Sequence, residues 1–364
     1  VAEEVYHRLR KQLDQYSCGF PTTPSGVELK ILEKIFSEEE AEMFLQMSVM
    51  LEAPEEVGRR TGREPKAVGT LLSRMAEKGQ LFQWRREDSV KYAAVPFVLG
   101  MYEFQLKNMD RELAELCDRF FDEGLLDTMT RVDPLMRTIP VNKAVEVSHP
   151  IATYDDSRAI IQGKKLIAVS NCICRMERGL LDKACDKPLE VCMQFGATAQ
   201  YFIDRGMARK ISTQEALSIL DRCEEAGLVT QPANAKNPGG LCNCCGDCCA
   251  ILRALNRLPR PADHVLSNYF AVVDAQACVG CETCLDRCPM GAIRIEDDQV
   301  AKIERQRCIG CGLCVSTCPE EAIHLDLKPE NQRRMPPETV MDAEKAMAQA
   351  RGTSLMPLSE SQPR

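Results

Sequence analysis

The chain has 364 residues, of which 45 % are hydrophobic and only 5 % aromatic, and its formal charge is −8 at neutral pH. That length suits two or three domains with ordinary cores. The acidic balance argues against wholesale nucleic-acid binding, and no apolar run approaches the roughly 18 residues of a membrane span.

Twenty cysteines in so long a chain, grouped at metal-ligand spacings, read as metal-bound thiolates and not as a disulfide framework. The N-terminal VAEEVYHRLRKQL has no apolar signal core, so nothing suggests export. The expected compartment is cytoplasmic, in an organism living with little oxygen.

Residues 1–26 predict a short helix and a loop, GFPTTPSG. Residues 1–100 as a whole read as a winged helix-turn-helix domain with that helix in front. Its helices are expected over Val27–Phe36, from Ser37 through the acidic Glu38–Glu40, over Pro54–Thr61 and over Glu64–Lys78. In the last of these Val68, Leu71, Leu72 and Met75 mark a buried stripe. LFQWRRED and SVKYAAV then predict a two-stranded wing turning near Glu87–Ser89.

Between Arg59 and Lys91 nine basic residues stand against four acidic ones, a contrast that would suit a phosphate-facing patch. The recognition-helix candidate presents Glu64, Ala67, Thr70, Ser73 and Glu77 outward, with few long donors to reach base edges. Protein docking or dimerisation is therefore favoured over DNA binding, since fold alone does not fix function.

Residues 101–150 predict a helical linker, helical to about Gly124, followed by a connection containing Pro134, Pro140 and Pro150. Residues 151–267 read as a cysteine-rich α/β middle domain. Its expected parts are a helix, the strand LIAV, a cysteine loop, and an amphipathic helix entered through a capping box at Ser212–Glu215 and ended by Gly227. Setting aside Cys223 on that helix, nine ligand candidates remain: Cys172, Cys174, Cys185, Cys192, Cys242, Cys244, Cys245, Cys248 and Cys249.

Adjacent cysteines rarely ligate one tetrahedral site together, so the 242–249 stretch predicts two sites, or one site and free thiols. One or two further iron–sulfur clusters are the leading reading. A structural zinc comes second and thiol–disulfide exchange third. Arg175 and Arg178 stand where they would either offset thiolate charge or face solvent. Cys18, Cys117 and Cys223 read as ordinary buried thiols.

Residues 268–328 contain an explicit repeat. Cys278, Cys281, Cys284 and Cys288 are spaced C-x2-C-x2-C-x3-C before Pro289, and Cys308, Cys311, Cys314 and Cys318 repeat the spacing before Pro319. Zinc would prefer paired C-x2-C knuckles on a longer loop. Three cysteines in register followed by C-P suit cubane [4Fe–4S] clusters. Strands are expected at Ala271–Asp274, Ile293–Glu296, Val300–Ile303 and His324–Leu327, with a short helix opening at each proline. Residues 329–364 predict a loosely ordered tail with one helix near Glu338–Arg351.

The module closely resembles the two-cluster bacterial ferredoxins over about a sixth of the chain. The resemblance implies a pseudo-twofold (βαβ)2 fold and two [4Fe–4S] clusters. It further implies that one cluster takes Cys278, Cys281, Cys284 and Cys318, and the other Cys308, Cys311, Cys314 and Cys288. The middle segment resembles cysteine-rich regions that accompany such modules in anaerobic iron–sulfur proteins.

There is no dinucleotide fingerprint, P-loop or nucleophile elbow, and His7, His149, His264 and His324 stand at no ligand spacing. The chain is therefore expected to be an α+β multidomain electron-transfer protein that passes low-potential electrons to or from a partner oxidoreductase, ferredoxin or flavoprotein. The alternatives are a redox- or oxygen-sensing winged-helix transcription regulator, and a subunit that activates another enzyme's metal centre.

Overall fold

The structure is a computed structural model that describes residues 2–87, 89–141, 144 and 152–358. It opens with α1 (Ala2–Leu13), which buries Val5, Leu9 and Leu13. Helix α2 (Val27–Ile35) follows, and then α3 (Glu38–Phe44), where Ser37 and Glu40 exchange side-chain and backbone hydrogen bonds in a capping box. Helix α4 (Pro54–Thr61) has proline in its first turn and ends at a left-handed Gly62. Helix α5 (Pro65–Glu77) buries the expected stripe of Val68, Leu71, Leu72 and Met75. Strands β1 (Leu81–Arg86) and β2 (Ser89–Ala94) pair antiparallel, Leu81 opposite Ala94. The turn residue Asp88 lies outside the described residues.

Helices α6 (Arg111–Phe120) and α7 (Leu126–Met129) add Leu113, Cys117, Phe120 and Leu126 to the same core. Phe20, Phe97 and Phe120 meet there with ring centroids 4.6–5.5 Å apart, spacings at which tilted and edge-on aromatic pairs are favourable. The segment expected to be a linker thus packs into the N-terminal core as far as Leu135. The end of its connection, including His149 and Pro150, lies outside the described residues.

The middle region contains α8 (Ser157–Gln162), β3 (Ile167–Asn171), α9 (Ile173–Leu180), β4 (Glu190–Phe195), α10 (Gly196–Asp204), β5 (Arg209–Ile211), α11 (Thr213–Glu225), β6 (Val229–Pro232), β7 (Gly240–Cys244) and α12 (Ala250–Asn256). Its sheet runs β5-β3-β4-β7-β6 with every pairing antiparallel. This corrects the α/β expectation to α+β: a short apolar run such as LIAV signals a buried strand without telling its direction. Two local expectations also change. The stretch after LIAV is helix α9, with Cys172 at its N-cap. Ser212 caps the Glu215 amide, but the Glu215 carboxylate pairs with Arg209 at 2.6 Å instead of completing a capping box.

The C-terminal module contains β8 (Tyr269–Val273), α13 (Thr283–Arg287), β9 (Ile293–Ile295), β10 (Ala301–Ile303) and β11 (Ile323–Leu327). Strand β8 pairs antiparallel with β11, and β9 with β10. The short helix α13 precedes Cys288, and a turn follows it, where a helix opened by Pro289 was expected. The Ala292 amide is drawn to the Cys288 sulfur at 3.2 Å instead of into a helical turn.

Residues 136–141 strap the regions together. Met136 and Ile139 bridge to Ala233 and Thr230 beside the edge strand β6, Arg137 bridges to Leu266, and the Val141 amide donates to the Cys311 carbonyl at 3.0 Å. Arg137 is fully buried, paired with Asp155 at 2.9 Å, and donates to the Arg334 carbonyl. The tail is more ordered than expected. Helix α14 (Val340–Arg351) has a capping box at Thr339, and Arg351 donates to the Ser17 carbonyl. Thr353 reaches Gln15, and the Leu358 amide reaches Gln12 on α1. No helix among the described residues is long and apolar enough to cross a membrane.

Candidate metal centres

The C-terminal module repeats its contacts as well as its sequence. The Ala301 amide donates to Cys278 Sγ at 3.4 Å, and thirty residues away in both partners the Ala271 amide donates to Cys308 Sγ at 3.4 Å. Gly280 and Gly310 have φ of +68° and +69°, a conformation that favours glycine. A Cβ on Gly280 would stand 2.3 Å from the Gln299 carbonyl oxygen, and one on Gly310 would stand 2.2 Å from that of Tyr269. Each cysteine loop is therefore pressed against the strand region that belongs to the other copy.

Cys288, from the first run, lines one small cavity with Cys308, Cys311 and Cys314. Burial, with the neighbouring Cys288 and Cys308 adding to it, raises the Cys311 thiol to about 12. Cys284 is raised by burial and then by Cys281, Cys318 and Cys278. Cys288 of the first run thus lies with the first three cysteines of the second, and Cys318 of the second run is among the neighbours of Cys284. Amides aimed at sulfur in both runs, and a cavity lined by four thiols in the second, fit cubanes, whose thiolates such donors stabilise.

The nine middle cysteines fall into two groups. Cys242 and Cys244 alternate along β7 and so share one sheet face. The register Met193–Leu241 brings Cys192 beside Cys242. Cys172 is the N-cap of α9 and Cys249 that of α12, positions where the helix dipole favours a thiolate.

Each of these six thiols is perturbed most by two of the others, which orders them as a ring: Cys172, Cys174, Cys249, Cys244, Cys242, Cys192. Lowered and raised thiols alternate around it. Interaction with their two ring neighbours lowers Cys172, Cys249 and Cys242, the last to about 5. The same interactions, together with burial, raise Cys174, Cys244 and Cys192.

The remaining three, Cys185, Cys245 and Cys248, form the second group. Their sulfurs lie within 4.8 Å of one another, with Cys185 at 3.5 Å from Cys245 and 3.6 Å from Cys248. Neighbouring cysteines therefore divide between groups, Cys244 and Cys249 to the ring, Cys245 and Cys248 to the trio. The core clusters cut across this division: Cys244 and Cys249 pack with Cys284, Cys308, Cys311 and Cys314, whereas Cys172, Cys174 and Cys192 of the ring join Cys185, Cys245 and Cys248 in the core around Met193, Ile219 and Leu220.

Of the two arginines singled out in the sequence, only Arg175 enters this site. It is buried, donates to the Pro188 and Asn243 carbonyls, and stands beside Cys172, Cys244 and Cys245. Arg178 instead joins Lys183 and Arg253 around Asp118. Two carboxyls not singled out in the sequence lie nearby. Glu103 is raised to about 8 by burial, with Cys242 and Cys172 among its neighbours. Glu177 is raised to about 7 by burial and accepts a hydrogen bond from Tyr102. Their place in the site depends on tertiary packing, which no local spacing signals.

Cys18, Cys117 and Cys223 are buried outside both groups, and His324 is exposed on β11 beside Asp326. In the winged-helix candidate, Arg60, Arg74 and Lys78 of the nine basic residues pair with Glu52, Glu39 and Glu40. The Tyr201 hydroxyl on α10 shares its one hydrogen between the Ala76 and Leu81 carbonyls, each at 3.0 Å, and Arg205 holds Gln83 and Glu77.

A family model for a 4Fe-4S dicluster domain matches residues 271–325. That segment is a ferredoxin-type iron–sulfur module. No curated protein and no solved structure matches the chain.

Proposed function

We propose that this chain is an electron-transfer protein carrying two [4Fe–4S] clusters in its C-terminal module and a further iron–sulfur cluster in the six-cysteine ring. One cubane would be held by Cys278, Cys281, Cys284 and Cys318, the other by Cys308, Cys311, Cys314 and Cys288. Bound there, such clusters supply one-electron chemistry at potentials set by ligation, hydrogen bonds and burial.

The observation that carries the reading is the continuity of the cysteine sites. Ring members Cys244 and Cys249 share one apolar core with Cys284, Cys308, Cys311 and Cys314, so this side of the ring packs into the core of the module. The residues around them have defined tasks. Ala271, Ala292 and Ala301 donate amide hydrogens to sulfur, which raises a cluster's potential. Arg175 balances thiolate charge. Arg287, next to Cys288, donates to the Glu224 and Glu225 carbonyls, where the C-terminus of α11 attracts a cation, and so fixes the module on the middle region.

Residues 27–94 supply the elements of a winged helix, which we read as a docking unit for an oxidoreductase, ferredoxin or flavoprotein. The DNA-regulator alternative is less favoured, because three of the nine basic residues are paired and α10 holds the end of α5 and the start of β1. Stopped-flow mixing of the dithionite-reduced chain with oxidised ferredoxin and flavodoxin tests the reading. Rapid bleaching with transfer to either acceptor supports it. Inert clusters together with a specific, air-sensitive promoter gel shift would favour the regulator.

A further inference from the structure

The trio Cys185, Cys245 and Cys248 differs in kind from the other cysteine groups. Among the described residues it is the one set of three or more histidine, cysteine or carboxylate ligand atoms lying within 4.8 Å of one another. Four thiolates at the corners of a four-iron body stand much farther apart than that. Around one zinc ion, with bonds of about 2.3 Å, tetrahedral sulfurs lie about 3.8 Å apart. The 3.5 Å and 3.6 Å separations from Cys185 match the single ion.

The local sequence agrees. Cys245-Gly-Asp-Cys248 is a C-x2-C knuckle, the spacing that chelates zinc from one turn. Gly246 lets that turn lie against the chain after Cys288, since a Cβ there would stand 2.9 Å from the Pro289 carbonyl oxygen. The third sulfur comes from the loop between α9 and β4. Cys245 and Cys248 are buried while Cys185 is partly exposed, so the trio opens toward solvent on the Cys185 side. Three thiolates around a divalent ion leave one net negative charge, and the buried Arg175 beside Cys245 supplies the counter-charge.

We propose that Cys185, Cys245 and Cys248 form a mononuclear zinc site, separate from the iron–sulfur clusters, with a fourth, exogenous coordination position. No fourth histidine, cysteine or carboxylate among the described residues joins the group, and three protein ligands plus an exchangeable one is the pattern of open zinc sites. Water occupies that position in thiol-free buffer. A small thiol is the class of ligand suited to displace it, because zinc is borderline-soft.

The test uses the full chain, purified without oxygen or added thiol. Metal analysis should give about one zinc per chain, and zinc K-edge absorption should show three sulfurs at about 2.3 Å with one oxygen or nitrogen. Adding ethanethiol should convert the fourth scatterer to sulfur. In Cys245→Ser, zinc should fall at least about fivefold while iron and labile sulfide stay unchanged. Cys223→Ser, which alters a buried thiol outside the trio, should retain both. Absence of zinc from the wild-type chain would overturn the proposal. So would four sulfurs in thiol-free buffer, or loss of about four irons in Cys245→Ser. The wild-type measurement stands even if a variant fails to fold, and none of these outcomes decides whether the C-terminal module transfers electrons.

Discussion

Gly310 offers the sharpest perturbation of the C-terminal module. Its φ is +69°, and a Cβ would lie 2.2 Å from the Tyr269 carbonyl oxygen and 2.6 Å from Ser267 Oγ. For Gly310→Ala the left-handed backbone alone costs about 1–2 kcal/mol. Relieving the clash pushes the start of β8 back by more than an ångström, where Tyr269 pairs with Leu327. One or two ladder hydrogen bonds are then lost, at about 1 kcal/mol each. The total is roughly 2–4 kcal/mol, concentrated on the loop between Cys308 and Cys311. Gly291→Ala is the control: φ there is +56°, and nothing lies within 4 Å of the added carbon. Anaerobic iron and sulfide analysis, with thermal denaturation, reads the outcome. Gly310→Ala should lose about four irons and melt earlier, while Gly291→Ala keeps its iron. Wild-type iron and stability in Gly310→Ala, or equal losses in both variants, would refute the reasoning.

Further outcomes follow from packing outside the loops. Arg137→Met strands Asp155 in the core with Asn268 as its remaining side-chain partner, and should cost about 3–5 kcal/mol in chemical denaturation. Glu344 on α14 is raised to about 7 by burial. Its docked state therefore holds the proton more tightly than the free chain does, so docking is strongest below about pH 4.5 and weakens as pH rises through 7. Protection of the α14 amides, taken relative to the intrinsic exchange rate at each pH, should fall over that range, and Glu344→Gln should abolish that fall. Arg205→Ala removes the contacts to Gln83 and Glu77, and should cost about 1 kcal/mol while speeding exchange in β1 ahead of the C-terminal module.

Much of this organisation was legible in the sequence because it is local. The helix start at Ser37, the extent of α4 over Pro54–Thr61 and the stripe on α5 are each encoded within one or two helical turns. The thirty-residue repeat likewise announced an iron–sulfur module before any contact was known. The direction of the middle strands was not legible, since an apolar run reads alike in parallel and antiparallel sheets. Nor was the helix at Cys172, because a C-x-C pair suits a loop and a helix N-cap equally. The 49-residue gap between Cys192 and Cys242 is bridged by the β4–β7 pairing, which no local pattern announces. That the 242–249 stretch divides was legible from its adjacent cysteines, whose side chains diverge; which of the distant cysteines joins each group emerges only from sheet register and tertiary packing. The tail was read as loose because its anchors, Ser17, Gln15 and Gln12, lie over 300 residues away in the chain.

Everything proposed for electron transfer depends on iron and sulfide being held by the two four-cysteine groups. EPR of the dithionite-reduced chain, purified without oxygen and paired with iron and labile-sulfide counts, tests this most directly. The expected result is about eight irons from the C-terminal module, further iron from the ring, and interacting S = 1/2 signals from neighbouring reduced cubanes. A colourless chain without labile sulfide or reduced-cluster signals would contradict it.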